Sequence, residues 1–435
     1  HLGIHLSFII YVAISLVIIF NVASRGVLIN LSFFVLTVQT LFLTFYVGDN
    51  RLSLVKCYFL FQFFFMALIP SIEFNSYHVY WGGAPFENNS YLLQNIVLFV
   101  CNLFAAFVYI SVNCNYKNRS GDVFVQNNVS KLSVFGLFIL SLLSIFFVLY
   151  VNSFSVVSLL VRAGEYKEFV DSSATITIMT YLGKFIPFFC LMAVLTVATK
   201  NKFLVAYFSI VLLICVFPLG NARFLVASIY LPIFIMLIPS ILKGVKGISL
   251  FVFSLLILFP FIDNFRNYTD EQRINFIPKS EFFLEGHFDS YQSFLRVFEN
   301  DVVTYGKQLL GVLLFFIPRV FWEEKPYGSG FYIAEKFHYG FKNVSMNFFG
   351  EGYINFGLVG VFSFVALLMS FLAILDKKFY LRYRSNTIDY ISTFYLMLLG
   401  YVFFLLRGDL LSSFSFLVSS IVAFLLVKVI MNFSN

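Results

Sequence analysis

The chain has 435 residues, of which 60% are apolar and only 12% charged, with a formal net charge of +7. A soluble domain carries about 25% charged residues, so this composition excludes a soluble globular protein and indicates an integral membrane one. The basic residues are scattered in ones and twos between apolar runs, which argues against a nucleic-acid partner and for a role in membrane topology.

The first apolar run, from about Ile4 to Phe20, has neither a basic leader nor a small-residue cleavage site, and reads as a transmembrane helix rather than a signal peptide. Further runs of spanning length, about 17 to 25 residues each, lie near 26–47, 52–70, 91–113, 132–152, 174–198, 203–219, 223–242, 247–263, 351–374, 389–406 and 412–431. The expectation is therefore an all-α membrane protein of about 12 transmembrane helices. Its parts are helices 1–9 over residues 1–263, a large loop over 264–350, and helices 10–12 over 351–435. With the amino terminus inside, one set of loops holds Arg51, Lys117, Arg119, Lys131, Lys200, Lys202, Lys243, Lys246, Lys377, Lys378, Arg382 and Arg384, while 71-SIEFNSYHVYWGGAPFENNS-90 on the other side has no basic residue. That is the positive-inside pattern, and it places both termini in the cytoplasm. The five cysteines lie in or beside apolar runs without metal-ligand spacing, so neither a disulfide nor zinc is expected.

Four arginines fall at outward-facing helix ends or on outer loops: Arg162 in 158-SLLVRAGEY-166, Arg223 in 217-FPLGNARF-224, Arg319 in 315-FFIPRVFWEEKPYGSG-330 and Arg407 in 404-FLLRGDLL-411. A guanidinium near hydrocarbon is costly, and its planar fork suits phosphate oxygens, so arginines converging there fit a lipid-linked phosphate or diphosphate. The plainer reading of each is a side chain snorkelling to head groups or paired with a neighbour, as Arg407 with Asp409.

The loop 264–350 is too rich in aromatic residues to read as disordered. Within it, 289-DSYQSFLRVFEN-300 has the pattern of an amphipathic helix capped by Asp289. The segment 308-QLLGVLLFFIP-318 is apolar but too short to span, and reads as a re-entrant or surface-lying helix that delivers Arg319 to the membrane boundary. Glu323 and Glu324 fit surface ion pairs, and Lys325 is a second positive point for a phosphate. His287 and Asp289 are candidate general bases for an attacking hydroxyl, the plainer reading of Asp289 being the helix cap. Glu351, opening helix 10 in 348-FFGEGYINFGLVG-360, is a rival base or a carboxylate stabilised by the helix dipole. Gly350, Gly352, Gly357 and Gly360 around it permit close helix packing or close ligand approach. Tyr80, Trp81, Trp322, Tyr327 and Tyr332 fit either sugar stacking or an interfacial aromatic belt. No phosphate-binding glycine loop, paired-carboxylate metal motif or nucleophile elbow is present.

The topology, G-N-A-R between helices 7 and 8, I-P-R-V-F-W-E-E-K-P followed by G-S-G, E-G-Y-I-N-F-G-L-V-G and L-L-R-G together resemble the bacterial Wzy-type O-antigen polymerases. The resemblance implies an inverting, metal-independent and cofactor-free glycosyltransferase of the GT-C class in the bacterial inner membrane, with its active site facing the periplasm. Such an enzyme, serving lipopolysaccharide biosynthesis, moves a growing glycan from undecaprenyl diphosphate onto a lipid-linked repeat unit. Its partners are those undecaprenyl-diphosphate-linked oligosaccharides, membrane lipids and a chain-length regulator. On this sequence the resemblance puts Arg223 and Arg319 on the diphosphate, with Arg162 and Arg407 assisting, and puts the base among His287, Asp289 and Glu351. An O-antigen ligase is the nearest alternative. A polysaccharide flippase is a second one, disfavoured because few basic residues, Lys56 and Lys184 among them, lie within spans and because no internal repeat relates the two halves.

Overall fold

The structure is a computed structural model that describes residues 2–21, 25–115, 131–155, 159, 174–197, 201–263, 280–383 and 388–432. In chain order the helices are α1 (Leu2–Asn21), α2 (Val27–Tyr46), α3 (Leu54–Asn75), α4 (Asn88–Asn115), α5 (Lys131–Val151), α6 (Ala174–Val197), α7 (Lys202–Cys215), α8 (Arg223–Leu237) and α9 (Lys246–Phe261). After them come α10 (Ser290–Glu299), α11 (Lys307–Leu313), α12 (Ser329–Lys336), α13 (Phe348–Arg382), α14 (Tyr390–Arg407) and α15 (Leu410–Asn432). The described residues form no strand beyond a single bridge between Arg51 and Lys243. An apolar chain in lipid must satisfy its backbone internally, and helices do so segment by segment.

Nine of these helices are long and apolar enough to cross a membrane. The chain is a multi-pass membrane protein. The expected count of twelve needs correction for α7, α8 and α9, which occupy the expected positions but are shorter. Asn201 caps α7, its side chain accepting from the Leu204 amide at 3.3 Å, and α7 ends at Cys215 ahead of Pro218. α8 stops at Leu237, because a residue before proline, here Ile238 before Pro239, is pushed out of helical geometry. Fourteen residues rise only about 21 Å, short of a hydrocarbon core of about 30 Å.

The helix α3 is the centre of the bundle: 94% of its apolar window is buried, against 11% for α1 at the periphery. At one end of α3, Asp376 of α13 accepts hydrogen bonds from the Leu54 amide (2.9 Å), the Val55 amide (3.3 Å), Tyr109 (3.0 Å) and Tyr395 (2.7 Å). One carboxylate thus ties the start of α3 to α4, α13 and α14. Backbone bonds from Leu52 to Leu242 (3.1 Å) and from Gly244 to Asn50 (2.9 Å) join two connections at that end. The segments 76–87 and 280–347 gather at the other end.

The helix α13 is broken at Phe356 and Gly357, where Gly357 has φ 62° and ψ −150°, a conformation essentially confined to glycine. The break brings Gly360 against Gly352, where a side chain on Gly360 would meet the Gly352 carbonyl. Close helix packing is therefore the role of these two glycines. The freed backbone is taken up by the loop: Thr304 and Gly306 amides donate to Ile354 and Asn355 carbonyls, and the Leu309 amide donates to Asn355 Oδ1 at 2.8 Å. That seats α11 against α13 and α15.

Candidate functional site

The helices α8 and α14 pack face to face, with the rings of Phe224 and Phe404 stacked at 3.5 Å between centroids. The packing puts Arg223, first residue of α8, and Arg407, last residue of α14, at the same end of the bundle. The Arg223 guanidinium lies 5.5 Å from the ring centroid of Phe282 and 5.8 Å from that of Phe259. Phe282 in turn neighbours the His287 ring at 6.3 Å.

Arg407 closes on the same segment. Its Nε donates to the His287 carbonyl at 2.6 Å, and Nη2 donates to the Gly286 carbonyl at 2.9 Å and to Asp289 Oδ1 at 3.3 Å. The other carboxylate oxygen of Asp289 accepts from the Trp81 indole N–H at 3.1 Å. Asp289 is 2% exposed; burial pushes its carboxyl above the usual range, while Arg407 and Trp81 oppose that shift. The expected capping box is absent, and the expected Arg407–Asp409 pair gives way to Arg407–Asp289. Asp289 stands at the start of α10 without a side-chain cap bond, and Gln292 turns to the 76–83 segment instead. A charge partner and an indole N–H outcompete a local backbone amide for a buried carboxylate.

His287 is half-exposed, and its Nε2 lies 3.4 Å from Glu285 Oε2. Gly286 beside it faces the Trp81 ring so closely that a side chain there would collide with it. Trp81 itself sits at φ 60°, a left-handed conformation unusual for a bulky residue. Trp81 and Asp289, with Tyr80, Gln292, Arg296 and Tyr339, line a cleft between the 76–87 segment and the large loop. The buried Arg296 shapes that cleft: it lies 4.0 Å from the Phe86 ring centroid and donates to the Tyr339 hydroxyl at 3.2 Å and to the Ala84 carbonyl.

Arg319 and Lys325 act within their own loop. Arg319 Nη1 donates to the Lys325 carbonyl at 2.6 Å, and the guanidinium stacks 3.7 Å from the Tyr327 ring centroid. Lys325 is 8% exposed, and its Nζ donates to the Phe315 and Ile317 carbonyls at 2.7 and 2.8 Å, closing the turn that follows α11. Burial, reinforced by the Arg319 charge, lowers its pKa. Glu323 and Glu324 are exposed.

Glu351 is fully buried. It accepts from Ser329 Oγ at 2.7 Å and from the Leu410 amide at 2.9 Å, while Asn347 caps α13 in its place. Asp409 sits beside it and accepts from the Gly330 and Leu411 amides, each at 2.9 Å. The segment L-L-R-G-D-L-L thus joins two carboxylates, Asp289 through Arg407 and Glu351 through Leu410. Arg162 lies outside the described residues.

Of the sequence candidates, Arg223, Arg407, His287 and Asp289 come together at one place. Glu73, Gln292 and Arg296 were missed. Their only sequence signal was polarity at a helix end or within an amphipathic helix, which reads equally as solvent-facing. No family model, curated protein or solved structure matches the chain.

Proposed function

We propose that the protein is a lipid-linked oligosaccharide polymerase, a glycosyltransferase that moves a growing glycan from undecaprenyl diphosphate onto a lipid-linked repeat unit at the outer face of a bacterial inner membrane. The observation that carries this reading is the pair Arg223 and Arg407 at adjoining helix ends, flanking Phe282, His287 and Asp289. A diphosphate anchored by its lipid tail presents its charge at that depth, and guanidinium forks stabilise the negative charge that grows as it leaves.

In this reading a hydroxyl of the acceptor sugar attacks the anomeric carbon of the donor glycan. The new glycosidic bond forms as the bond to the diphosphate oxygen breaks, and the configuration inverts. His287 takes the hydroxyl proton: its ring is half-exposed and has a carboxylate, Glu285, beside it. Asp289, buried and bonded on both oxygens, orients Arg407. Glu351, without exposed surface, supports the fold where α13 meets α15. Arg319 and Lys325 hold the loop that borders the site.

Replacing Arg407 or Arg223 by Ala in the full chain tests this reading. Each should reduce polymerisation by at least about a hundredfold, the scale seen when a transition-state charge partner is removed, with protein levels retained. Full activity in both variants would remove the arginine pair from the mechanism.

A further inference from the structure

Beneath the cleft lies a carboxylate with no role in the reaction just described. Glu73, at the end of α3, is 1% exposed. Its Oε1 accepts from the Tyr80 hydroxyl at 3.0 Å and its Oε2 from Gln292 Nε2 at 3.1 Å. Gln292 is held at both ends of its amide: Oε1 accepts from the Tyr80 amide at 3.1 Å, and Nε2 also donates to the His78 carbonyl at 2.8 Å. The His78 amide in turn donates to the Glu73 carbonyl at 3.0 Å. The Tyr80 hydroxyl and amide and the His78 carbonyl and amide thus all end on Glu73 or on Gln292.

The next residue is Trp81, whose left-handed backbone persists only if its surroundings over-determine it. Three restraints do so: Tyr80 is fixed on one side, the Trp81 carbonyl accepts from the Gly340 amide at 3.3 Å, and Gly286 leaves room for the ring. Only in that pose does the indole N–H meet Asp289, the partner of Arg407. The order of dependence runs from Glu73 through Tyr80 and Gln292 to Trp81, then to Asp289 and Arg407.

We propose that Glu73 is a positioning residue: it fixes the turn that carries Trp81 and thereby sets the geometry of Asp289 and the Arg407 guanidinium. The geometric half of this proposal stands alone, and its effect on turnover rests on the function proposed above. A displaced charge partner of this kind lowers turnover more than substrate binding.

The test uses the full chain carrying Trp322→Phe, which leaves Trp81 as the only tryptophan of the two in the sequence. Acrylamide quenching of Trp81 reads its position, and turnover of lipid-linked repeat units reads the consequence. Glu73→Ala should make Trp81 more accessible to quencher and reduce kcat by about tenfold to a hundredfold with KM little changed. Glu73→Gln should restore both, because a carboxamide still offers an oxygen to Gln292 and an N–H to the Tyr80 hydroxyl. Tyr80→Phe, which keeps the ring, should move both readouts the same way by less, and it decides the matter if Glu73→Ala does not fold. Unchanged quenching in Glu73→Ala and Tyr80→Phe would overturn the proposal, as would a Glu73→Gln variant as impaired as Glu73→Ala. Altered quenching with unaltered turnover would uphold the positioning role and overturn instead the assignment of Arg407, oriented by Asp289, to the reaction.

Discussion

At the scale of single residues, the site depends on how one buried carboxylate is kept charged. Burial raises the pKa of Asp289, and Arg407 and the Trp81 N–H work against it. Its folded-state pKa therefore lies above the ordinary carboxylate value, so folding takes up a proton in that window and this residue's contribution to stability falls as pH climbs through it. Trp81→Phe removes the N–H and keeps most of the ring. It should shift the Asp289 pKa further up and extend to higher pH the range over which stability declines. The pH dependence of thermal unfolding of the variant in detergent checks this, and a range that stays in place or moves down would contradict it. Deleting a hydrogen bond to a charged group should also cost about 1.5–3 kcal/mol of stability, measurable by thermal unfolding in detergent.

At the scale of elements, charges that look functional in sequence serve to end and join helices. The strongest case is 315-FFIPRVFWEEKPYGSG-330, where Lys325 satisfies the Phe315 and Ile317 carbonyls in the turn that follows α11, and Arg319 satisfies those of Lys325 and Pro326. Lys325→Met should loosen the segment, seen as faster proteolysis between Phe315 and Tyr327, while the span helices stay intact. Protection equal to that of the parent would mean that the cap is dispensable. In α13 the break depends on Gly357 alone among non-helical positions with positive φ. Gly357→Ala should cost on the order of 1–3 kcal/mol and should weaken the docking of α11, because the Ile354 and Asn355 carbonyls that receive it are set by the break.

At the scale of the whole molecule, much of the fold was legible because lipid imposes a period-free apolar run of fixed length on each span. Among the described residues, nine helices meet that length. The runs at 203–219, 223–242 and 247–263 were over-read because hydropathy registers composition and is insensitive to a proline or a π turn, such as the one at Ser254–Leu258, that shortens or distorts a helix. The gathering of Arg223, Arg407 and His287 was less legible, since it depends on how α8 meets α14. Glu73 was not legible at all, because a carboxylate at a helix end carries no mark of what will cover it. The end of the bundle opposite the site is tied by Asp376, and Asp376→Ala would strand two amides and two tyrosine hydroxyls in the interior. A loss of at least about 3 kcal/mol is expected from groups left unsatisfied at about 1–3 kcal/mol each, read as a lowered unfolding temperature; an unchanged one would show that other contacts hold that end.

The measurement closest to the proposed function is the surface lipopolysaccharide ladder of a host that carries the rest of such a pathway, with this gene deleted and then supplied as the parent chain or as the Arg223→Ala, Arg407→Ala double variant. Core plus one repeat unit is expected in the deletion and in the double variant, with the full ladder restored by the parent. A full ladder from the double variant, or core without any repeat unit in the deletion, would contradict it.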